Sequence, residues 1–256
     1  MSSVVNPSKS EDPPSSSSSS SERRRIEQLP EDVVNRIAAG EVIHRPSSAL
    51  KELLENSLDA QSTQIEIQLR DGGLKTLQIS DNGSGILRED FPVVCRRHTT
   101  SKITKYSDLQ EIPTFGFRGE ALASVTHVAR VSITSMTANQ NCAYRASYRD
   151  GEIISKDPNR CEALPCAGVK GTQIRVEDMF YNVPIRLQAL RSYSEEYNRC
   201  LDVVSNYAIH NTNVRFSCKK MGSSKNDINT MARGKSLENV KIAIRTIHGR
   251  KIAQEL

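Results

Sequence analysis

The sequence lacks any long apolar run. No stretch approaches the roughly 20 consecutive apolar residues that a helix needs to cross a bilayer. The amino terminus is polar and rich in serine, so it also lacks the apolar centre of a secretory signal peptide. These absences argue against a membrane-spanning or secreted protein, and we expect no membrane partner.

Cysteines at metal-binding spacing are also missing. The six cysteines are scattered and include no CxxC pair. Cys161 and Cys166 make at most half of a metal site, because no second pair and no histidine cluster completes it. The pattern predicts reduced thiols in an intracellular protein.

A phosphate-binding P-loop is absent as well. Gly234, Lys235 and Ser236 resemble the end of such a motif, but Asn229 stands where its first glycine is required. No predicted strand precedes this segment, although the motif needs one. Any nucleotide site in this chain must therefore be of another type.

Net positive charge is absent except near the end of the chain. Residues 30–218 carry 22 basic and 23 acidic side chains, whereas residues 219–256 carry nine basic and three acidic ones, a net charge of +6. Such an end segment fits an anionic partner such as DNA, although a solvated charge run fits equally well. The nine candidates are Lys219, Lys220, Lys225, Arg233, Lys235, Lys241, Arg245, Arg250 and Lys251.

Residues 1–25 form a low-complexity segment. They include seven consecutive serines, residues 15–21, preceded by two prolines. This composition buries too little apolar surface to offset the entropy lost on ordering, so we predict a disordered tail. From Ile26 the pattern changes, and we predict a helix that begins near Pro30 and ends at Gly40.

An amphipathic helix is predicted for residues 47–60, with Pro46 in its first turn. Four leucines at helical spacing form its apolar stripe: Leu50, Leu53, Leu54 and Leu58. Glu52 and Asn56 are four residues apart and therefore share a different face. A solvated polar face is the ordinary interpretation of such a pair, and the downstream segments favour a functional one.

A hairpin follows this helix. Ile65, Ile67 and Leu69 alternate with polar residues, and the predicted returning strand spans residues 74–80. Asp81 shares the parity of the core residues of that strand, so we expect an inward carboxylate that needs a hydrogen-bond donor.

The remaining elements are predicted from periodicity and turn residues. Predicted helices span residues 90–97, 121–128 and 195–210, and predicted strands span residues 131–135, 143–148, 152–155, 172–176 and 214–218. Residues 157–171 are predicted to be a long loop. Helices combined with hairpins predict an α/β two-layer sandwich, a mixed sheet with helices on one face. We predict one domain over residues 26–220, followed by a linker and the start of a second domain over residues 221–256.

Several of these residues suit nucleotide chemistry. Glycine-rich backbone before a helix, with Gly116 and Gly119, can wrap closely around phosphates, although a flexible helix cap is the alternative. The Asn56 amide oxygen suits Mg²⁺, and Glu52 one turn away could deprotonate a water molecule. Asp81 could accept from an exocyclic amine, or belong to an ordinary Asp-Gly turn.

Three further residues complete the predicted base pocket. Gly83 and Gly85 are expected to leave room for a flat base. Thr172 offers a hydroxyl group near that base, and it could equally be a plain strand threonine.

Six segments in this order resemble the N-terminal half of MutL-family DNA mismatch repair proteins: NRIAAGEVI, KELLENSLDA, DNGSGI, TTSK, GFRGEALAS and GTQIRVEDMFYNVP. The segments HVARVSITS, CAYRASYRDG and SEEYNRCLDVVSNYAIH are most similar to the eukaryotic, and especially the fungal, homologue-one branch of that family. The resemblance covers nearly all residues from Ile26 onward and implies the GHKL (Bergerat) ATP-binding fold.

The resemblance also implies roles for individual residues. It makes Glu52 the water-activating base, Asn56 the Mg²⁺ ligand and Asp81 the adenine contact. The implied phosphate and lid contacts are Thr100, Ser101, Lys102, Arg118, Gly119, Glu120, Ala121 and Leu122. The serine-rich tail departs from the family pattern. The family's second-domain phosphate-contacting lysine and its C-terminal dimerisation region are not found in this sequence, which we interpret as an N-terminal fragment.

By resemblance, the chain is expected to be a nuclear, Mg²⁺-dependent ATPase that couples ATP-driven N-terminal association to mismatch repair. The implied partners are a second MutL-type subunit, a MutS-type mismatch recognition complex and DNA. Two other functions stay open, a nucleotide-binding scaffold without turnover and a basic DNA-binding module in which the motifs are structural.

Overall fold

The computed structural model describes residues 26–110, 112–155, 161–190 and 192–249. The predicted tail at residues 1–25 lies outside these ranges, as do Arg250 and Lys251. Within the described ranges, no helix combines the length and the apolar character needed to span a membrane. No disulfide joins two cysteines of this part of the chain.

A mixed β-sheet organises the described residues. Its nine strands are β1 (Gln64–Arg70), β2 (Thr76–Asp81), β3 (Arg130–Met136), β4 (Ala143–Arg149), β5 (Glu152–Ile154), β6 (Leu164–Cys166), β7 (Gly171–Glu177), β8 (Arg215–Lys220) and β9 (Ile228–Asn229). Their order across the sheet is β5-β4-β3-β7-β2-β1-β8-β9, with β6 paired to β4. The pair β1–β8 is parallel and the other pairs are antiparallel.

The helices pack on one face of this sheet, as predicted. They are α1 (Glu31–Val42), α2 (Pro46–Asp59), α3 (Ala121–Val128), α4 (Pro184–Ala189), α5 (Tyr193–His210) and α6 (Leu237–His248). Helices α2, α3 and α5 contact β2, β3 and β8, respectively. Alternate residues of β1, such as Ile65 and Ile67, are buried beneath the helices, whereas Glu66 points to the other face and is exposed.

Helix α2 forms where its sequence pattern predicts it. Pro46 occupies the first helical position, where the missing N–H is not needed. Leu50, Leu53 and Leu54 are fully buried in the core. Truncating one such leucine to alanine typically costs about 2–5 kcal/mol of stability. The buried stripe therefore fixes the rotation of α2 and directs its polar face to one side.

Helix α1 extends beyond the predicted end at Gly40, which is a correction. Gly40 lies within the helix, and a Cβ atom there would lie 3.1 Å from the guanidinium group of Arg186. The amide of Ile43 donates to the carbonyl oxygen of Ala39 at 2.8 Å, and Ile43 itself is buried. Core packing at Ile43 thus continues the helix past a residue that often ends one.

The helix predicted for residues 90–97 is wrong. A short 3-10 helix spans Arg88–Asp90, and turns follow it. Within those turns only the amide of Val94 bonds the carbonyl four residues back, on Asp90, at 2.9 Å. Pro92 has no amide hydrogen to donate, and β-branched Val93 and Val94 favour helices weakly.

Two strands lie in segments that were predicted to be irregular. The predicted loop at 157–171 contains β6, whose Cys166 pairs with Ala143. The predicted linker contains β9, whose Ile228 pairs with Cys218 and is buried. Both strands are too short for periodicity to detect. Helix α6 also contacts α5 and β9, and the division of the chain into domains near residue 221 stays a prediction.

The other predicted elements are confirmed within two residues of their ends. Helix α3 has the predicted bounds, and Asp150 and Gly151 form the turn between β4 and β5 with φ angles of 51° and 84°. The sheet register then places Asp81 beside Ile65 on one side and Thr172 on the other.

Candidate functional site

A cavity of about 540 Å³ lies between the polar face of α2, the segment 99–102, the segment 115–120 and the start of α3. Eleven of the fourteen predicted site residues line it: Glu52, Asn56, Gly85, Thr100, Ser101, Lys102, Arg118, Gly119, Glu120, Ala121 and Leu122. The other three, Asp81, Gly83 and Thr172, lie outside its lining. The volume is in the range of typical small-molecule sites.

The α2 face of the cavity carries four polar side chains. Glu52 and Asn56 lie one turn apart, as predicted, and Lys51 and Glu55 join them in the lining. The ammonium group of Lys51 lies 2.8 Å from Glu55 Oε1 and 3.4 Å from Glu52 Oε1. Burial lowers the pKa of Lys51, but the hydrogen bond to Glu55 and the attraction of both carboxylates outweigh it, so the pKa is raised.

Asp59, one turn after Asn56, holds the loops that cover the cavity. Its carboxylate accepts hydrogen bonds from the amides of Phe115 at 3.0 Å and Gly116 at 3.2 Å. Lys102 donates to Asp59 Oδ2 at 2.6 Å and to Asn56 Oδ1 at 3.0 Å. The two covering segments are thus joined to α2 through one buried carboxylate, whose side chain is 5% exposed.

The glycine-rich segment before α3 approaches its neighbours closely. Gly119 has a φ of +63°, and a Cβ atom there would lie 2.3 Å from the carbonyl oxygen of Thr99. A Cβ atom on Gly116 would lie 3.1 Å from Lys102 Nζ. At Gly119 the contact with the backbone of Thr99 requires a residue without a side chain.

The start of α3 has the character of an anion site. The first four N–H groups of a helix have no partner within it, and the first helical residues here, Ala121 and Leu122, line the cavity. Unpaired amides at a helix start form an anion site. The carboxylate of Glu120, the preceding residue, lies 3.8 Å from Arg97 Nη1. Arg97 Nη2 donates to the carbonyl oxygen of Asn35 at 2.9 Å, so Arg97 connects the start of α3 to α1.

Asp81 has the donors that its inward orientation requires. Ser57 on α2 donates to Asp81 Oδ2 at 2.9 Å, and the amide of Gly83 donates to Oδ1 at 2.9 Å. Burial raises the pKa of Asp81 above its ordinary value, although these hydrogen bonds oppose the rise. Because Ser57 follows Asn56 in α2, Asp81 is linked to the helix that lines the cavity.

Gly83 and Gly85 lie close to neighbouring loops. A Cβ atom on Gly83 would lie 2.7 Å from both the carbonyl oxygen of Ala60 and Ser62 Oγ. A Cβ atom on Gly85 would lie 2.5 Å from the carbonyl oxygen of Met136. Protein atoms lie where either Cβ would stand, so both glycines allow close packing of the loop, and their place beside a bound base stays a prediction.

Thr172 belongs to a small polar cluster beside Asp81. Its hydroxyl group lies 2.9 Å from Ser135 Oγ, which also receives a hydrogen bond from the amide of Ile86 at 2.8 Å. Thr172 is 9% exposed and Ser135 is 1% exposed. The cluster ties the loop after Asp81 to β3 and β7.

Five residues outside the predicted set make the polar and aromatic contacts that hold the site together: Lys51, Glu55, Asp59, Phe115 and Tyr207. Helical spacing could have found Glu55 and Asp59, because they follow Glu52 by three and seven positions on the same helix. Tyr207 on α5 donates a hydrogen bond to Glu55, and its ring packs edge to face with that of Phe115 at 6.0 Å. Tyr207 is far from Glu55 in the sequence, so no sequence pattern could predict this contact.

A metal site made of protein side chains alone is not present in the described ranges, where no three His, Cys, Asp or Glu side chains converge. The Asn56 amide oxygen is a hard oxygen ligand, and its present partner is the Lys102 cation. A site with one amide oxygen fits Mg²⁺, which usually keeps several water molecules and takes other ligands from substrate phosphates.

Comparison with known proteins identifies the family. Residues 44–172 match the family described as histidine kinase-, DNA gyrase B- and HSP90-like ATPase. The chain is 49% identical over 232 residues to the DNA mismatch repair protein MLH1 of Saccharomyces cerevisiae, and the match covers 91% of this chain and 29% of the yeast protein. The chain therefore spans less than a third of the length of that relative.

Two solved structures are similar to the fold. The N-terminal domain of a DNA repair protein is 33% identical, with a TM-score of 0.70 over 87% of this chain and 62% of the other. The Aquifex aeolicus MutL ATPase domain complexed with ADP is 23% identical, with a TM-score of 0.61 over 81% and 70% of the two chains. The fold, the site and these similarities lead to one conclusion: the chain belongs to the histidine kinase-, DNA gyrase B- and HSP90-like ATPases, within their MutL mismatch repair branch.

Proposed function

We propose that this chain binds ATP with Mg²⁺ in the α2 cavity and hydrolyses it slowly, as the nucleotide switch of a DNA mismatch repair factor. The observation that carries the proposal is the convergence of Glu52, Asn56 and the start of α3 on one cavity of about 540 Å³. The solved MutL ATPase domain with ADP supports the choice of ligand. The yeast relative's name supports the choice of process.

Different residues bind the adenine and the phosphates of ATP. Asp81 accepts a hydrogen bond from the adenine amine, and its carboxylate is already oriented by Ser57 and Gly83. The free amides at the start of α3 bind phosphate oxygens, as helix starts do. Thr100, Ser101 and Lys102 supply hydroxyl groups and a positive charge from the covering segment.

The chemical step is assigned to Glu52. Its carboxylate, with a side chain 31% exposed, holds a water molecule and takes its proton as the oxygen attacks the terminal phosphorus. The products are ADP and inorganic phosphate, and the proton is held at Glu52 before it returns to solvent. Asn56 would hold Mg²⁺, which supplies charge neutralisation on the phosphates when bound.

The wider role follows from the family. We propose that ATP binding orders the covering segments, that N-terminal halves then associate, and that hydrolysis resets them. A second MutL-type subunit, a MutS-type mismatch recognition complex and DNA are the proposed partners, and the nucleus is the proposed location.

The test is the variant Glu52→Ala, compared with Glu41→Ala on the exposed face of α1. Removing a general base should lower turnover by about 10²–10⁴-fold. The Kd for ATP should change little, because ground-state binding does not use the base. Calorimetric ATP binding and phosphate release are measured on the same preparation, and Glu41→Ala should match the unaltered chain.

The same measurements separate the alternatives. ATP affinity without turnover in the unaltered chain would favour a nucleotide-binding scaffold. A chain with no ATP affinity would favour a basic DNA-binding module. Loss of ATP binding in Glu52→Ala would identify a structural carboxylate and contradict the assigned role.

A further inference from the structure

A second carboxylate, Glu55, lies in the cavity lining without a role in the proposed chemistry. It follows Glu52 by three residues and is 8% exposed. A buried carboxylate is costly unless it is paired and hydrogen-bonded. Glu55 has both kinds of partner, the Lys51 ammonium at 2.8 Å and the Tyr207 hydroxyl.

Lys51 stands between the two carboxylates. Its ammonium group is closer to Glu55 than to Glu52, at 2.8 Å against 3.4 Å. A carboxylate that is fully paired with an ammonium group is a weaker base, because the positive charge favours its ionised form. The position of Lys51 therefore affects how well Glu52 can accept a proton.

Tyr207 and Phe115 hold Glu55 in place. Tyr207 comes from α5, far from α2 in the sequence, and its hydroxyl fixes the Glu55 carboxylate. The Phe115 ring packs against the Tyr207 ring, and the Phe115 amide is bound by Asp59. Glu55 is thus anchored both to the core and to the covering segment.

From this arrangement we infer that Glu55 is a positioning residue for Glu52 that acts through Lys51. It draws the Lys51 ammonium group away and leaves Glu52 available as a base. The inference rests on the proposed function, in which Glu52 activates the water. Glu55 itself gains or loses no proton in the reaction.

The first test is Glu55→Gln, which keeps the size of the side chain and its ability to accept from Tyr207. Without the charge of Glu55, Lys51 should pair fully with Glu52, and kcat should fall by about tenfold while the Kd for ATP stays within about twofold. Glu55→Asp, which keeps the charge, should recover most of the lost kcat.

The second test removes Lys51 as well. If Glu55 acts through Lys51, Lys51→Met combined with Glu55→Gln should turn over faster than Glu55→Gln alone, because Glu52 is released. A purely structural Glu55 would make the double variant as slow as, or slower than, the single one, and that result would overturn the inference. Weakened ATP binding in Glu55→Gln would overturn it too, since it would make Glu55 a nucleotide ligand.

Folding is checked by thermal unfolding. If Glu55→Gln alone fails to fold, the double variant carries the test, because removing both members of an ion pair leaves no uncompensated charge. It should then hydrolyse ATP within about tenfold of the unaltered chain, and a larger loss would contradict the inference. An unaltered chain that binds ATP without turnover would contradict the proposed function first, whereas normal turnover with an unaffected Glu55→Gln would contradict only the role of Glu55.

Discussion

The Asp81 carboxylate is a hydrogen-bond acceptor in surroundings that disfavour its charge. Burial raises its pKa, and Ser57 and Gly83 donate to it. Asp81→Asn would replace an acceptor-only group by an amide that also presents donors to the adenine amine. We expect ATP affinity to fall by about 1–3 kcal/mol, as for an unmade buried hydrogen bond, and calorimetry measures it directly.

Two comparisons make this result specific. Asp71→Asn, in the exposed turn after β1, should leave ATP affinity unchanged. Because the pKa of Asp81 is raised, its protonation begins at a higher pH than that of an ordinary aspartate. The ATP affinity of the unaltered chain should therefore weaken as the pH falls through this raised pKa. The affinity of Asp81→Asn should lack this component. Equal binding of GTP and ATP by the unaltered chain would show that Asp81 does not recognise adenine.

Residues of the site were predictable where one helix or one strand carries them. Glu52 and Asn56 could be paired because four residues make about one helical turn, and Asp81 because strand residues alternate. Tyr207 could not be found, since its contact with Glu55 depends on how α5 packs against α2. The packing reasons for Gly83 and Gly85 were equally hidden, because the atoms facing them belong to other loops.

Among the elements, the segment before α3 depends most on its glycines. Gly119→Ala would place a Cβ atom 2.3 Å from the carbonyl oxygen of Thr99, at a φ of +63°. The two covering segments would have to separate, so we expect ATP affinity to fall by more than about tenfold, which corresponds to more than about 1.4 kcal/mol. Calorimetric titration with ATP measures this change.

The matched control is Gly222→Ala, which also has a positive φ, +85°, but no atom within 4 Å of the added Cβ. It introduces similar backbone strain without the steric clash. It should destabilise the chain slightly and leave ATP affinity unchanged. Comparable affinities for the two variants would mean that contact between the covering segments does not matter for binding.

Residues 98–115, which run from the first covering segment to the start of the second, should respond to nucleotide. Of residues 98–115, none whose burial the structure describes is buried, and Asp59 supplies the main attachment through Phe115, Gly116 and Lys102. We expect amide hydrogen exchange in this segment to slow when a non-hydrolysable ATP analogue binds, because phosphates add new partners. Amides of β3 provide the internal reference, and an unchanged exchange rate at 98–115 would contradict the prediction.

Elements were predictable where a long periodic pattern met a buried face. The leucine stripe of α2, the alternation of β1 and the α5 pattern all coincide with core positions such as Leu53, Ile67 and Val204. Sequence reasoning was wrong at residues 90–97, where Pro92 has no amide hydrogen to donate and only the amide of Val94 bonds the carbonyl four residues back. It also missed β6 and β9, because pairing with β4 and β8 makes them strands, and their own short sequences do not.

For the molecule as a whole, the uneven charge predicts where DNA binds. We expect nonspecific DNA binding to depend mainly on the end segment, residues 219–256. A truncation after Cys218 would cut through β8 and remove β9, so charge removal is the better test. Four exposed cations of this segment are replaced by glutamine: Lys225, Arg233, Lys235 and Arg245.

The control variant replaces the same number of exposed cations in residues 30–218: Arg36, Arg70, Arg149 and Arg215. Removing a side chain that binds a phosphate should flatten the slope of log affinity against log salt by about one unit. The end-segment variant should therefore show the smaller salt dependence. A larger effect from the control variant would place the DNA surface on residues 30–218.

The parallel pair of β1 and β8 has a consequence for how the chain is made. Gln64 pairs with Arg215, so the sheet beneath the helices cannot be completed until β8 has been synthesised. At about 5–20 residues per second, the ribosome needs about 7–30 s to extend the chain from β2 to the end of β8. During most of that interval α2 has no α5 to pack against. The apolar face of the helix that carries Glu52 is therefore open to chaperones and to aggregation while the chain is being translated.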